Sequence, residues 1–163
     1  MSETTALLSA EELEEQEEEL APVSGDFPWV LFSVGDVIYA IFSKHVLSIE
    51  ILNETTPLVD SPFYARGITN FRGDMISLID LRMLFGLPSN TLNGDSREMI
   101  VVMEVDGAVK GIIVDEIVSV EYVERMLDMP GLAEMTRYVR NLGKREKDNS
   151  TIQIIDEEKI IAL

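Results

Sequence analysis

The 163-residue sequence predicts an all-β fold, either a sandwich or small barrels. Three observations carry that expectation. Short apolar runs rich in Val, Ile and Leu recur from Trp29 to the C-terminus, each bounded by turn residues. Gly35-Asp36 and Asp106-Gly107 each separate two such runs by two residues, the spacing of tight hairpins. Helix signals are confined to short stretches.

In order along the chain, Trp29–Val34 and Val37–Phe42 form the first hairpin, and Val46–Leu52 follows as a strand. A polar loop through Asn53–Pro57 and Ser61-Pro62 leads to residues 67–88, GITNFRGDMISLIDLRMLFGLP, where Asn70-Phe71-Arg72-Gly73 makes a tight turn between two apolar runs. Met75–Ile79 is a strand. Asp80 offers an N-cap to a helix of one or two turns over Leu81–Phe85, which Gly86 and Pro88 stop. The polar segment Ser89–Ser96 reads as a loop and a subdomain boundary. Met99–Val105 and Ala108–Val114 flank Asp106-Gly107, the strongest hairpin signal in the chain, and Ile117–Val123 continues as a strand. Glu124–Asn141 mixes helix formers with Pro130-Gly131 and supports no single assignment. Lys144–Ser150 is an exposed loop, Thr151–Ile155 a strand, and Glu157–Ala162 a short terminal helix.

Residues 1–25 form an acidic tail ahead of one domain over 26–163. They hold eight glutamates and no Lys or Arg. Ser9 and Glu12 make a capping-box start, but the apolar stripe is only Leu13 and Leu20, and like charges three and four apart oppose a helix. A disordered tail is expected, with residues 21–25 as linker.

The formal net charge is −17. Without the tail, the body still carries 22 acids against 13 bases. Such a surface repels phosphate backbones and anionic lipids, so neither nucleic-acid binding nor direct membrane insertion is expected. No apolar run approaches the length of a membrane span, and the N-terminus lacks the order of a signal peptide. With no cysteine in the chain, a reducing, cytoplasmic location is the expectation.

Catalytic chemistry finds no foothold. His45 is the only histidine, and spacing gives it no partner; it reads as a surface or strand-edge residue. There is no nucleophile elbow and no phosphate loop. Asn93-Gly94-Asp95 lacks the alternating ligands and closing glutamate of a calcium loop and reads as a turn. Asp115-Glu116, adjacent on a strand, point to opposite faces and read as solvated edge charges. Lys144, Arg145 and Lys147, interrupted by Glu146, read as a loop face. No metal, cofactor or catalytic residue is expected.

FSVGDVIYAIF, HVLSIEIL and SPFYARGITNFRGDMISLIDLRMLFGLP, in that order, resemble the CheW-like domain, the coupling-protein family of bacterial chemotaxis. The specific parts are the Gly-Asp hairpin ending in Tyr39, the turn from Gly67 to Gly73, and Ile79-Asp80-Leu81-Arg82 six residues later. Weaker similarity runs through residues 110–115, KGIIVD, to the closing TIQIIDEEKIIAL. The resemblance implies two small five-stranded SH3-like β-barrels packed together, with short helices. It also implies a non-catalytic adaptor whose partners are the cytoplasmic tip of methyl-accepting chemoreceptors and the regulatory domain of the histidine kinase CheA.

On residue chemistry alone, Asn70 and Gly73 suit a turn backbone and Arg72 is more often a bland turn residue than a contact. The resemblance places Arg72 and Asn70 beside the groove between the barrels, where an arginine suits an interface anchor. It places Val46, Met99 and Ile100 along the same receptor-facing region, although buried strand positions explain these three equally well. Gly73 is a turn residue, and Asp80 is better explained as a helix cap than as a contact.

The chain departs from the family pattern in places. Ser48 stands where a glutamate is usual, so a charge partner of Arg72 is lost or replaced, for instance by Glu50. Ser77 stands where a proline is frequent, and Glu116 where a small glycine is common. Asn141 is expected to fill a left-handed position in the turn near Gly143. The alternative within the fold is a divergent regulatory module for surface motility or another kinase pathway. An enzyme or ligand-binding barrel would need clustered ionisable residues or a phosphate loop, and the sequence has neither.

Overall fold

The computed structural model describes residues 27–88, 97–125 and 137–163. The expectations for the acidic tail and for the turn at Asn93-Gly94-Asp95 lie outside the described residues. The strands are β1 (Trp29–Val34), β2 (Val37–Phe42), β3 (Val46–Ile51), β4 (Ala65–Phe71), β5 (Asp74–Asp80), β6 (Met99–Val105), β7 (Ala108–Val114), β8 (Glu116–Glu121), β9 (Val123–Arg125), β10 (Val139–Arg145) and β11 (Thr151–Ile155). Two short helices, α1 (Leu81–Leu84) and α2 (Glu157–Ile161), follow β5 and β11, and Ser43–His45 makes one 3-10 turn between β2 and β3.

The strands form two sheets, in the orders β8-β1-β2-β11-β10-β9 and β3-β6-β7-β5-β4. Only Tyr122 separates β8 from β9, so the first sheet begins and ends on one bent strand. That strand closes a five-stranded barrel by pairing β1 with one half and β10 with the other. The second sheet closes where Thr56, beyond β3, bridges Ile68 of β4. Both barrels contain one parallel pair, β2 with β11 and β5 with β7. In both, a member of that pair runs into an Asp-capped helix. Asp80 accepts from the Met83 amide at 3.4 Å and Asp156 from the Lys159 amide at 3.2 Å. The structure is thus duplicated without a sequence repeat, apart from the Ile-Asp step shared at Ile79-Asp80 and Ile155-Asp156.

The barrels are not successive halves of the chain. β3 to β7 form one, and β1 and β2 join β8 to β11 in the other. The boundary expected at Ser89–Ser96 is therefore wrong, because β5 before that segment pairs directly with β7 after it. Pairing, not sequence proximity, decides the partition.

Strand alternation sorts the core into three clusters. Trp29 and Leu31 of β1 fill the first barrel with Ala40, Val123, Ile152 and Ile154. Ile100 and Val102 of β6 fill the second with Phe71, Ile76, Leu78 and Ile113. The opposite faces, including Val30, Phe32, Val34, Val101, Met103 and Val105, pack the barrels against each other. Each fully buried Phe or Leu in this third cluster contributes about 1.5–3 kcal/mol relative to exposure.

Ion pairs tie this frame together. Arg66 donates to Asp80 at 2.6 Å and to Glu98 at 2.8 Å, and these carboxylates, Glu98 foremost, raise its pKa further despite partial burial. Arg82 grips Asp115 with two bonds of 2.7 and 2.8 Å, and the same carboxylate accepts from the Gly35 amide at 2.7 Å. Asp115 is thus a half-buried anchor joining α1 to the β1–β2 turn, not the solvated edge charge expected of it.

Two further expectations change. Arg145 ends β10, and its guanidinium bonds Glu121 at 2.8 Å, so it belongs to the barrel and not to a loop face. Asn141 is buried within β10 beside a register shift and is not among the left-handed residues.

Candidate partner-docking surface

The β4–β5 hairpin turns through Arg72 and Gly73, with φ of 51° and 88°. The β6–β7 hairpin turns through Asp106 and Gly107 with nearly the same pair, 50° and 86°. Two successive positive φ values suit the twist of a two-residue hairpin, and Asn-Gly or Asp-Gly is the favoured sequence. Asp106 obeys that preference and Arg72 does not. Arginine has no short polar side chain to offset the left-handed backbone, which costs about 1–2 kcal/mol for most residues.

Asn70, expected within the turn, is the penultimate residue of β4. Its Oδ1 accepts from the Gly73 amide at 3.1 Å and braces the turn from outside. Arg72 is exposed, and its guanidinium lies 4.8 Å from the centroid of the Phe71 ring. Among the described residues no carboxylate forms an ion pair with it. Glu50 is exposed and does not replace the carboxylate missing at Ser48, which pairs opposite Val102.

Barrel closure brings this hairpin toward the end of β3. Thr69 Oγ1 donates to the Glu54 carbonyl at 2.7 Å, and Leu52 packs on the cluster that holds Phe71. The approach requires Gly67: a Cβ there would lie 2.2 Å from the Thr56 carbonyl oxygen. β3 exposes Leu47, Ile49 and Ile51, and Met75 beside Asn70 is 55% exposed. Only β6 pairs with β3 along its length among the described residues. A strip therefore runs from the 3-10 turn, along an apolar edge strand, to a presented guanidinium. Unpaired backbone groups and apolar side chains on one strand edge suit docking of another chain.

The other sequence candidates distribute unevenly. Met99 stands opposite Ile51 and is half-buried at the same end of the barrel. Val46 is half-buried at the opposite end of β3, against the core between the barrels. Ile100 is buried inside the second barrel and offers a partner no surface, because its position on β6 points inward. Asp80 is buried as well and serves as cap and as partner of Arg66. The exposed residues Leu47, Ile49, Ile51 and Met75 were not singled out from sequence, where they read as ordinary strand hydrophobes; period-two alternation along HVLSIEIL was the available signal.

His45 is not alone in space. It lies 3.6 Å from the buried carboxylate of Glu157, which also accepts from the Phe42 amide at 3.0 Å and has Arg140 at 3.8 Å. The neighbouring Glu157 carboxylate raises the imidazole pKa, outweighing burial. This cluster fastens α2 to the crossover between barrels.

The chain is thus a pair of packed barrels with an exposed apolar strip along β3. The CheW-like domain matches residues 28–163, and the chain belongs to that family. It is 26% identical over 138 residues to the chemotaxis protein CheW of Klebsiella aerogenes, covering 82% of this chain and 81% of that one. To the Helicobacter pylori chemotaxis protein CheW it is 27% identical, covering 80% and 78%. The crystal structure of the scaffolding protein TtCheW from Thermoanaerobacter tengcongensis superposes with a TM-score of 0.66 at 27% identity, covering 79% of this chain and 88% of that one. The fold is the expected pair of SH3-like barrels, and the chain is a coupling adaptor of chemotactic signal transduction. These relatives do not favour the alternative of a module for surface motility or another kinase pathway. Among the described residues no helix is long and apolar enough to cross a membrane.

Proposed function

We propose that this adaptor docks the cytoplasmic tip of a methyl-accepting chemoreceptor on the strip formed by β3 and the Arg72 hairpin. A separate surface of the same chain holds the regulatory domain of the histidine kinase CheA. The adaptor works by occupying both partners at once, in the cytoplasm and without chemistry of its own.

One observation carries the assignment of the strip. Arg72 sits in a turn position that disfavours it, exposed and without a carboxylate partner among the described residues. Strain of this kind persists where a residue is used for its side chain. A second apolar stripe, Val118, Val120 and Tyr122 on the other barrel, supplies surface for a second partner.

Calorimetric titration of the full chain with a receptor hairpin-tip fragment and with the CheA regulatory domain tests the proposal, each repeated with Arg72→Glu. Both fragments are expected to bind, and the substitution to abolish only receptor binding. Binding of neither fragment, or equal loss of both in a folded variant, overturns it.

A further inference from the structure

Met75 stands on β5 opposite Asn70 of β4, beside the turn that presents Arg72. It is 55% exposed, whereas Met83 and Met99 are half-buried and Met103 is fully buried. The side-chain amide of Asn70 is held in one orientation, because its Oδ1 already accepts from the Gly73 amide. Its Nδ2 then faces Met75 Sδ at 4.0 Å, a long contact to the weak acceptor that a thioether is. The chain has no cysteine, so no thiolate of its own competes with its thioethers for a two-electron oxidant. An exposed thioether therefore sits on the docking strip with a fixed amide donor aimed at its sulfur.

Resting on the strip's role given above, we infer that Met75 is a reversible oxidation site through which a peroxide weakens receptor docking. The sulfur lone pair attacks one oxygen of hydrogen peroxide. An S–O bond forms, the O–O bond breaks, and the departing hydroxide takes up the proton left on the transferred oxygen. The products are the sulfoxide and one water; sulfur loses two electrons and the peroxide gains them. A flexible apolar side chain thereby becomes a polar one with a strong acceptor oxygen. That oxygen enters the gap between Sδ and Asn70 Nδ2 and turns a long, weak contact into a hydrogen bond of ordinary length. Asn70 thus stabilises the oxidised form, while docking loses an apolar contact next to Arg72. Sulfoxide reductases restore the thioether, so the change is a switch.

Treating the full chain with hydrogen peroxide and mapping its peptides by mass spectrometry tests the site. Met75 is expected to oxidise several-fold faster than Met83, Met99 and Met103, and the receptor hairpin-tip fragment to slow it several-fold. The side-chain amide signals of Asn70 are expected to shift as Met75 oxidises. Receptor-fragment affinity is expected to fall roughly tenfold, the size set by forfeiting much of the transfer value of a buried methionine. It should recover with a sulfoxide reductase and withstand peroxide in the Met75→Leu chain. A Met75 that oxidises no faster than Met103, or an Asn70 amide that does not respond, overturns the inference whatever the fragment does. Unchanged affinity of the oxidised chain, or an equal loss in Met75→Leu, overturns it as well. A fragment that binds no untreated form sinks the receptor role of the strip instead, and the oxidation site then stands or falls on its rate and on the Asn70 shift.

Discussion

Replacing Arg72 with asparagine should make the protein more stable and a worse adaptor at the same time. The native arginine holds a φ of 51° in a turn otherwise like the Asp106-Gly107 turn of the same barrel. Asparagine tolerates that backbone, so relief recovers up to about 1–2 kcal/mol. The lost stacking of the guanidinium on Phe71 removes about 0.5–1 kcal/mol, the value of an exposed cation–π contact. A net gain of roughly 0.5–1 kcal/mol remains, which raises the melting temperature by about 1–4 °C for a chain of this size. In the proposed docking mode, loss of a hot-spot arginine costs about 2 kcal/mol or more of binding, so receptor affinity should fall roughly 30-fold. Chemical denaturation gives the first number and calorimetry the second. A destabilised Asn variant, or one that binds as tightly as the native chain, refutes the view that strain at this turn is maintained for the side chain.

Asp80→Ala removes a helix cap and takes from Arg66 its buried carboxylate partner, so it should destabilise by about 3–5 kcal/mol in urea titration. Gly67→Ala forces a Cβ onto the Thr56 backbone; hydrogen exchange should speed up at the Thr56 and Ile68 amides, each of which donates to the other residue's carbonyl across the barrel closure. Ile100→Val, inside the second barrel, should cost about 0.5–1.5 kcal/mol of stability and leave partner affinity unchanged. Glu157 raises the His45 pKa in the folded protein, so the pair's contribution is full below about pH 6.5, the unfolded value, and is lost as pH rises through the folded value. Urea midpoints of the native chain and of His45→Gln should therefore differ more at pH 5.5 than at pH 8.5; a gap that widens with pH has the wrong sign.

What the sequence determined by itself is local. Alternation and turn chemistry placed β1, β2, β6, β7 and β11 within a residue, because a strand with one buried face must repeat every two residues and a two-residue hairpin demands Gly or Asp. The Asp80 cap and the tight NFRG turn were legible for the same reason. β4 was not marked as a strand, since Gly67 and the polar residues around it break the apolar pattern that its pairing with β5 overrides.

Long-range pairing decided the rest. Interleaving of the barrels, closure at Thr56 and Ile68, and the bent strand around Tyr122 join residues that no local spacing relates. The same holds for charge: Asp115 found Arg82, and His45 found Glu157, from 33 and 112 residues away. Whether an isoleucine faces a barrel interior, as Ile100 does, or open water, as Ile49 does, follows from which face the closed barrel turns inward. Composition is blind to that choice, since both residues bury or expose the same hydrocarbon until the sheet curls and assigns them sides.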